Sequence, residues 1–253
     1  MVAVEEPLEI RVDGDCVATT MRTPGDDARL ALGFLFGEGV VGSLADVGSI
    51  AHCGRPGEAG NVIDLRSGPG ARLDPERVLD CHRLALTTSA CGVCGRRSIE
   101  ALLARLERVG PGPAIAPSLV LGAMERLRGE QPNFARSGGV HAAAAFDAVG
   151  RLLACHEDVG RHNAVDKVIG ALFLRGLVGK ASGGAPPALL AVSGRSSFEI
   201  VQKAAAAGIG VVASVSAASS LAVDLAREAS IALAAFVRTG AFNVYTHAER
   251  LGL

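Results

Sequence analysis

Between Pro187 and Arg238 the sequence alternates three short apolar runs with two amphipathic ones, and this rhythm limits the fold more than any other feature. The apolar runs "PALLAVSG", "VVASV" and "IALAAFVR" read as buried strands. Between them, "SSFEIVQKAAAAG" and "SSLAVDLAREA" carry helical periodicity, the first with a capping box expected from Ser196 to Glu199. Two strand–helix–strand crossovers follow, so the three strands should be parallel with helices packed on the sheet. Upstream, "SLVLGAMERLRGE" reads as a helix, and "GVHAAAAF" and "RLLACHE" as a hairpin about Asp147–Gly150. "NAVDKVIGALFLRG" is a helix with Val165, Val168, Ile169 and Leu172 on one face. "GPGPAIAPS" (110–118) is the linker signal, dividing the chain into residues 1–115 and 116–253.

The first unit opens with "LEIRVDGDCVATTMR", a hairpin about Asp13–Gly14, since glycine tolerates the positive φ of a tight turn. A helix follows in "TPGDDARLALGFLFGEG", with Thr23 as cap, Pro24 at its first position, and Gly37 and Gly39 stopping it. Residues 52–76 read mostly as loop around one strand, "NVIDLR". "SIEALLARLERV" returns to helical periodicity.

The 253 residues are 49% hydrophobic with a net charge of −1, the profile of a compact α/β protein. No basic run exceeds Arg96–Arg97, which argues against a nucleic-acid surface. The N-terminal "MVAVEEPLEI" has glutamates where a secretion signal would carry Lys or Arg. The longest uncharged run, Ala204–Val223, holds two glycines and four serines and suits a strand with parts of two helices better than a membrane span. A cytoplasmic, membrane-free protein is expected.

Open α/β sheets bind ligands beyond the carboxyl ends of their strands. Here those ends carry "SGRSS" (Ser193, Gly194, Arg195, Ser196, Ser197), "SVSAASS" including Ser219, and "RTGAFNVYTH". The first two lead into helix starts, where backbone N–H groups favour anions, so a phosphate-bearing ligand fits there. Capping alone accounts for such serines and glycines equally well.

"TTSACGVCGRRS" places Cys91 and Cys94 three apart beside two arginines. A structural zinc site wants a second ligand pair, and there is no second Cys-x-x-Cys. Cys53, Cys81 and Cys155 each neighbour a histidine, which does not aim two ligands at one metal. The element order resembles the cytidine-deaminase-like fold, whose zinc cysteines would fall at Ser196 and Ser197; the zinc site is missing, and no metal is expected. Disulfide exchange of the thioredoxin kind is disfavoured by the weak strand "HRLALTT" before the motif. A thiol at a helix start near arginines shifts toward thiolate, from about 8.5, and can take, hold and pass on sulfur. Spacing alone does not separate sulfur carriage from redox exchange.

The blocks "RTPGDDARLALGFLFGEG", "TTSACGVCG", "GGVHAAAAF", "HEDVGRHNAVDKVIG", "SGRSSFEIVQKAAAAGI" and "NVYTHAERL" closely resemble, in order and almost end to end, the FdhD family of formate dehydrogenase accessory sulfurtransferases. The resemblance implies a cytidine-deaminase-like α/β/α sandwich without zinc, plus a smaller α+β N-terminal subdomain bearing the Cys-x-x-Cys loop. It implies a carrier that accepts persulfide sulfur from a cysteine desulfurase. The sulfur then passes to the molybdenum (or tungsten) bis-guanine-dinucleotide cofactor of formate dehydrogenase. Cys91 would bear the persulfide, with Cys94 as partner, resolving thiol or relay. The block Phe242, Asn243, Val244, Tyr245, Thr246, His247 would bind cofactor, its phosphates suiting the "SGRSS" and "SAASS" loops. Members tend to form homodimers. The other reading is a cofactor-binding chaperone without sulfur chemistry.

His162, Asn163, Asp166 and Lys167 crowd a helix start beside Glu157, Asp158 and Arg161, as either a cavity wall or a buried capping network. His141 reads as core, and Cys16 and Cys53 as inert. No Ser–His–acid constellation emerges from the sequence, and persulfide transfer requires none.

Overall fold

The computed structural model describes residues 1–54, 60–71, 73, 108–180, 183 and 186–253. The Cys91–Cys94 motif, Cys81, and nearly all of the helix expected at 98–109 lie outside these residues.

Two mixed sheets organise the chain. The first contains β1 (Glu6–Val12), β2 (Asp15–Arg22), β3 (Val47–His52) and β4 (Val62–Ser67) in the order β2-β1-β4-β3. Its hairpin turns at Asp13 (φ 52°) and Gly14 (φ 96°), as the Asp–Gly pair requires. The second sheet contains β5 (His141–Phe146), β6 (Leu152–Asp158), β7 (Leu189–Val192), β8 (Val211–Ser214), β9 (Ala232–Arg238) and β10 (Ala241–Thr246). Their order is β10-β9-β8-β7-β5-β6, with β7, β8 and β9 parallel as the two crossovers demand. The β5–β6 hairpin closes through Asp147, whose Oδ1 accepts from Val149 N and Arg151 N.

Six helices surround the sheets among the described residues: α1 (Asp27–Gly37), α2 (Pro117–Gly129), α3 (Pro132–Ser137), α4 (Arg161–Leu174), α5 (Phe198–Ala206) and α6 (Ser220–Glu228). None of the helices in these residues is long and apolar enough to cross a membrane. Alternation along the central strands assigns the layers. Leu189 and Ala191 of β7 face Val120, Met124 and Leu127 of α2, while Leu190 and Val192 face the side bearing α4, α5 and α6. That side includes Val165, Val168, Ile169 and Leu172, all fully buried, each contributing about 1.5–3 kcal/mol. The same apolar core takes in Leu30, Leu32 and Leu35 of α1 and Leu8 and Ile10 of β1, so it runs continuously from before residue 115 to after it.

Two glycines let α1 and α4 meet backbone to backbone. A Cβ at Gly33 would lie 1.9 Å from Asp166 O, and one at Gly170 would lie 1.9 Å from Arg29 O.

The structure departs from the sequence reading at several ends. The first helix starts at Asp27, not at Pro24, because Gly25 (φ 102°) and Asp26 (φ 58°) turn the chain first. Thr23 therefore does not cap it; its hydroxyl accepts from Val159 N at 3.0 Å. The Ser196–Glu199 capping box does not form: Ser197 is the N-cap, without a side-chain cap bond, and Glu199 turns to His162 and Lys203. The segment after β9 is itself a strand, β10, folded back antiparallel through Gly240 (φ 79°). The strand β3 and the one-turn-and-a-half helix α3 had no sequence signal, since β3 has no buried residue and no alternation.

Candidate functional site

The carboxyl ends of β6 and β7, the start of β5 and the N-termini of α4 and α5 converge on one edge of the second sheet, and there the polar side chains collect. The first group is a buried clamp. Asp158, fully buried at the end of β6, accepts from Lys167 Nζ at 2.7 Å, Thr23 N at 3.1 Å, Gly160 N at 2.8 Å and Asn163 Nδ2 at 3.0 Å. Lys167 also donates to Thr23 O, and Asn163 to Met21 O at 2.7 Å, so the clamp fastens the end of β2 to α4. The "EDVGRHNAVDK" block thus serves in large part as a buried hydrogen-bond and ion-pair network.

Beside the clamp lies a cleft of about 210 Å³ lined by Thr23, Asp26, Glu130, Asn133, His156 and Lys167. His156 Nδ1 meets Asp26 Oδ2 at 3.1 Å. Cys155 also lines it, but burial pushes its thiol up to about 12, so it is no nucleophile at neutral pH.

The second group faces α5. His162 Nε2 lies 3.0 Å from Ser197 Oγ, and His162 Nδ1 lies 3.1 Å from Glu199 Oε2. A carboxylate offers only acceptors, so Nδ1 carries the proton and Nε2 accepts from the Ser197 hydroxyl. Burial, helped by Arg161, Lys203 and His141, pushes His162 down to about 3 and keeps it neutral. Beneath it, Lys203 Nζ binds Asp166 Oδ1 at 2.7 Å. Burial opposes that ammonium, yet Asp166, Glu199 and Glu38 outweigh it and hold Lys203 above its ordinary value. His141 is lowered by burial, Arg161 and Arg195, and a Cβ on Gly194 would sit 3.4 Å from its Nδ1. The Gly194 backbone thus packs at van der Waals distance from the His141 ring.

The structure brings the two serine loops together: Ser196 N donates to Ala217 O and Ser219 N to Ser196 O, each at 3.0 Å. Ser219 caps α6 by accepting from Ala222 N, and Ser193 Oγ accepts from Ala142 N. The Ser196 hydroxyl is buried with no hydrogen-bond partner among the described residues. Arg195 stands exposed at the rim. The β10 block runs away from this edge. Ala241 pairs with Arg238 at the end of β9, whereas Thr246 pairs with Leu233 near its start. Phe242 and Asn243 therefore lie toward the serine loops, with Val244 and the 39%-exposed Tyr245 farther along. Thr246 Oγ1 is tied to Ile231 O and Leu233 N, and the His247 ring to Arg227 O and Glu249, at the opposite end of the sheet.

The Ser197–His162–Glu199 chain was missed in the sequence because its serine and histidine stand 35 residues apart. The usable signal was that both belong to helix starts following strands of one sheet. Among the described residues no three His, Cys, Asp or Glu side chains gather as a metal site.

The FdhD/NarQ family profile matches residues 3–252. The sulfur carrier protein FdhD of Anaeromyxobacter dehalogenans (strain 2CP-1) is 60% identical over 255 aligned positions, covering 100% of this chain and 88% of the relative. The sulfur carrier protein FdhD of Mycobacterium bovis is 49% identical, covering 99% and 91%. A crystal structure of a candidate formate dehydrogenase accessory protein from Desulfotalea psychrophila superposes with a TM-score of 0.74 at 25% identity, covering 99% of this chain and 90% of that one. A profile match over residues 3–252 and relatives 49–60% identical along essentially the whole of this chain place it in the FdhD/NarQ family.

Proposed function

We propose that this protein is a sulfur carrier for formate dehydrogenase maturation, acting as a sulfurtransferase with Cys91 as the persulfide-bearing thiol. The observation that carries the reading is the chain-long 60% identity to a protein named as a sulfur carrier. In this reading the Cys91 thiolate attacks the terminal sulfur of a cysteine desulfurase persulfide, and the desulfurase thiolate leaves. Attack by Cys94 on the inner sulfur then forms a Cys91–Cys94 disulfide and releases the outer sulfur as sulfide, which the acceptor takes. A cellular dithiol reductant restores the pair.

The acceptor is the molybdenum (or tungsten) bis-guanine-dinucleotide cofactor, a substrate here. Its phosphates suit Ser193–Ser197 and Ser219, where two helix starts and Arg195 supply donors. Along β10 the exposed Asn243 and Tyr245 offer the base a face, with Phe242 and Val244 packed against the core behind them and Thr246 and His247 anchoring the strand end. The three-layer arrangement about β7, β8 and β9 also supports the deaminase-like reading of the frame, with Ser196 and Ser197 at the zinc-cysteine positions.

The test is intact mass after incubation with a cysteine desulfurase and cysteine. Gain of sulfur masses that reductant removes and that Cys91→Ala abolishes is the expected result. Loss only in Cys94→Ala would exchange the two roles. No uptake by the wild type beside an active desulfurase would sink the carrier and leave a cofactor-binding chaperone.

A further inference from the structure

Ser197 belongs to the loop proposed above for the cofactor phosphates, and its hydroxyl–imidazole–carboxylate chain with His162 and Glu199 takes no step in the sulfur transfer proposed there. Its two links, 3.0 Å and 3.1 Å, meet the geometric requirement for a nucleophile, its base and the group that orients the base. The His162 and Glu199 side chains keep 17% and 18% of their surface and Ser197 is half-buried, so the chain opens to solvent. Ser197 is the N-cap of α5, yet its hydroxyl makes no cap bond and serves His162 instead. The N-terminal end of α5 is then positioned to stabilise an oxyanion forming at Ser197. A Cβ at Gly194, next to Arg195, would lie 3.7 Å from the Arg161 Cβ, so the two arginines stand on the same edge.

We propose that Ser197 is a nucleophile, with His162 as its base, that accepts an acyl group from an activated ester or thioester bearing an anionic group. The Ser197 oxygen bonds to the carbonyl carbon as its proton passes to His162 Nε2, and Glu199 faces the imidazolium that forms. The bond to the leaving oxygen or sulfur breaks, and the leaving group departs with that proton. Water repeats the sequence, releasing the carboxylic acid and restoring the hydroxyl. Arg161 from α4, His141 from β5 and Lys203 from α5 surround the imidazole and, with burial, make it a weak base. A weak base restricts the reaction to acyl groups with good leaving groups.

The purified full chain is treated with a fluorophosphonate probe and mapped by peptide mass, with p-nitrophenyl acetate hydrolysis measured alongside. One adduct on Ser197 is expected, absent in Ser197→Ala and at least about tenfold slower in His162→Gln and in Glu199→Gln. Thermal melting of each variant separates lost reactivity from lost fold, and Glu199→Gln carries the test if His162→Gln does not fold. An unlabelled Ser197 in the wild type would overturn the proposal, as would wild-type labelling rates in the folded variants. Neither desulfurase nor cofactor enters the assay, so its outcome is independent of the sulfur-carrier reading.

Discussion

At Asp158 one carboxylate satisfies four donors, and one of them, Lys167, is a buried ammonium only 2% exposed. Removing one partner of a buried ion pair costs more than the pair contributes, because the other charge keeps its desolvation penalty. Asp158→Asn keeps the shape and removes the charge, so it should lower stability by about 3–5 kcal/mol in urea unfolding. A loss below about 1 kcal/mol would mean that water reaches Lys167 and that the clamp is looser than its geometry. The sequence could place these residues at one helix start but not divide their labour. Asp158 and Lys167 turned inward to the clamp, while His162, on the same helix start, turned outward to Ser197. A single residue's facing depends on the helix's rotation against its neighbours, which pattern alone leaves open.

Elements were more legible, and turn chemistry explains which. Asp13–Gly14 and Asp147–Gly150 announced their hairpins because few residues accept the backbone angles needed there. The crossovers of β7, β8 and β9 followed from alternation of buried strands with amphipathic helices. β3 stayed hidden because it borrows its order from the neighbouring β4 through register rather than from buried side chains. The α1–α4 contact was also invisible, since a glycine inside a helix looks like a weakness until its neighbour is known. Gly170→Ala would press a methyl group against Arg29 O, where a Cβ finds only 1.9 Å, and should cost at least about 3 kcal/mol. Gly122→Ala in α2 meets nothing within 4 Å and should be neutral or stabilising by up to about 1 kcal/mol. Urea midpoints of the two variants decide it. Equal effects would show that α1 and α4 slide apart at little cost.

Across the whole molecule the question is which surfaces face one ligand. The sequence grouped the serine loops with the Phe242–His247 block because all follow strands, but β10 folds back and separates the ends of that block. A six-residue strand spans roughly 20 Å, so its far end is remote from Arg195. His247 is further occupied, one ring nitrogen facing Arg227 O at 2.9 Å and the other Glu249 at 2.8 Å. If the serine loops hold the phosphates, GDP as a probe should lose about tenfold in affinity on Arg195→Ala, through one charge-assisted contact of about 1.4 kcal/mol. That contact should also weaken with added salt. His247→Ala should change GDP affinity less than about twofold, since both its ring nitrogens are already engaged by Arg227 O and Glu249. Calorimetric titration of both variants at two salt concentrations distinguishes the ends. A loss confined to His247→Ala would move the nucleotide to the far end of β10 and leave the serine loops as helix caps, with Arg195 a solvated side chain.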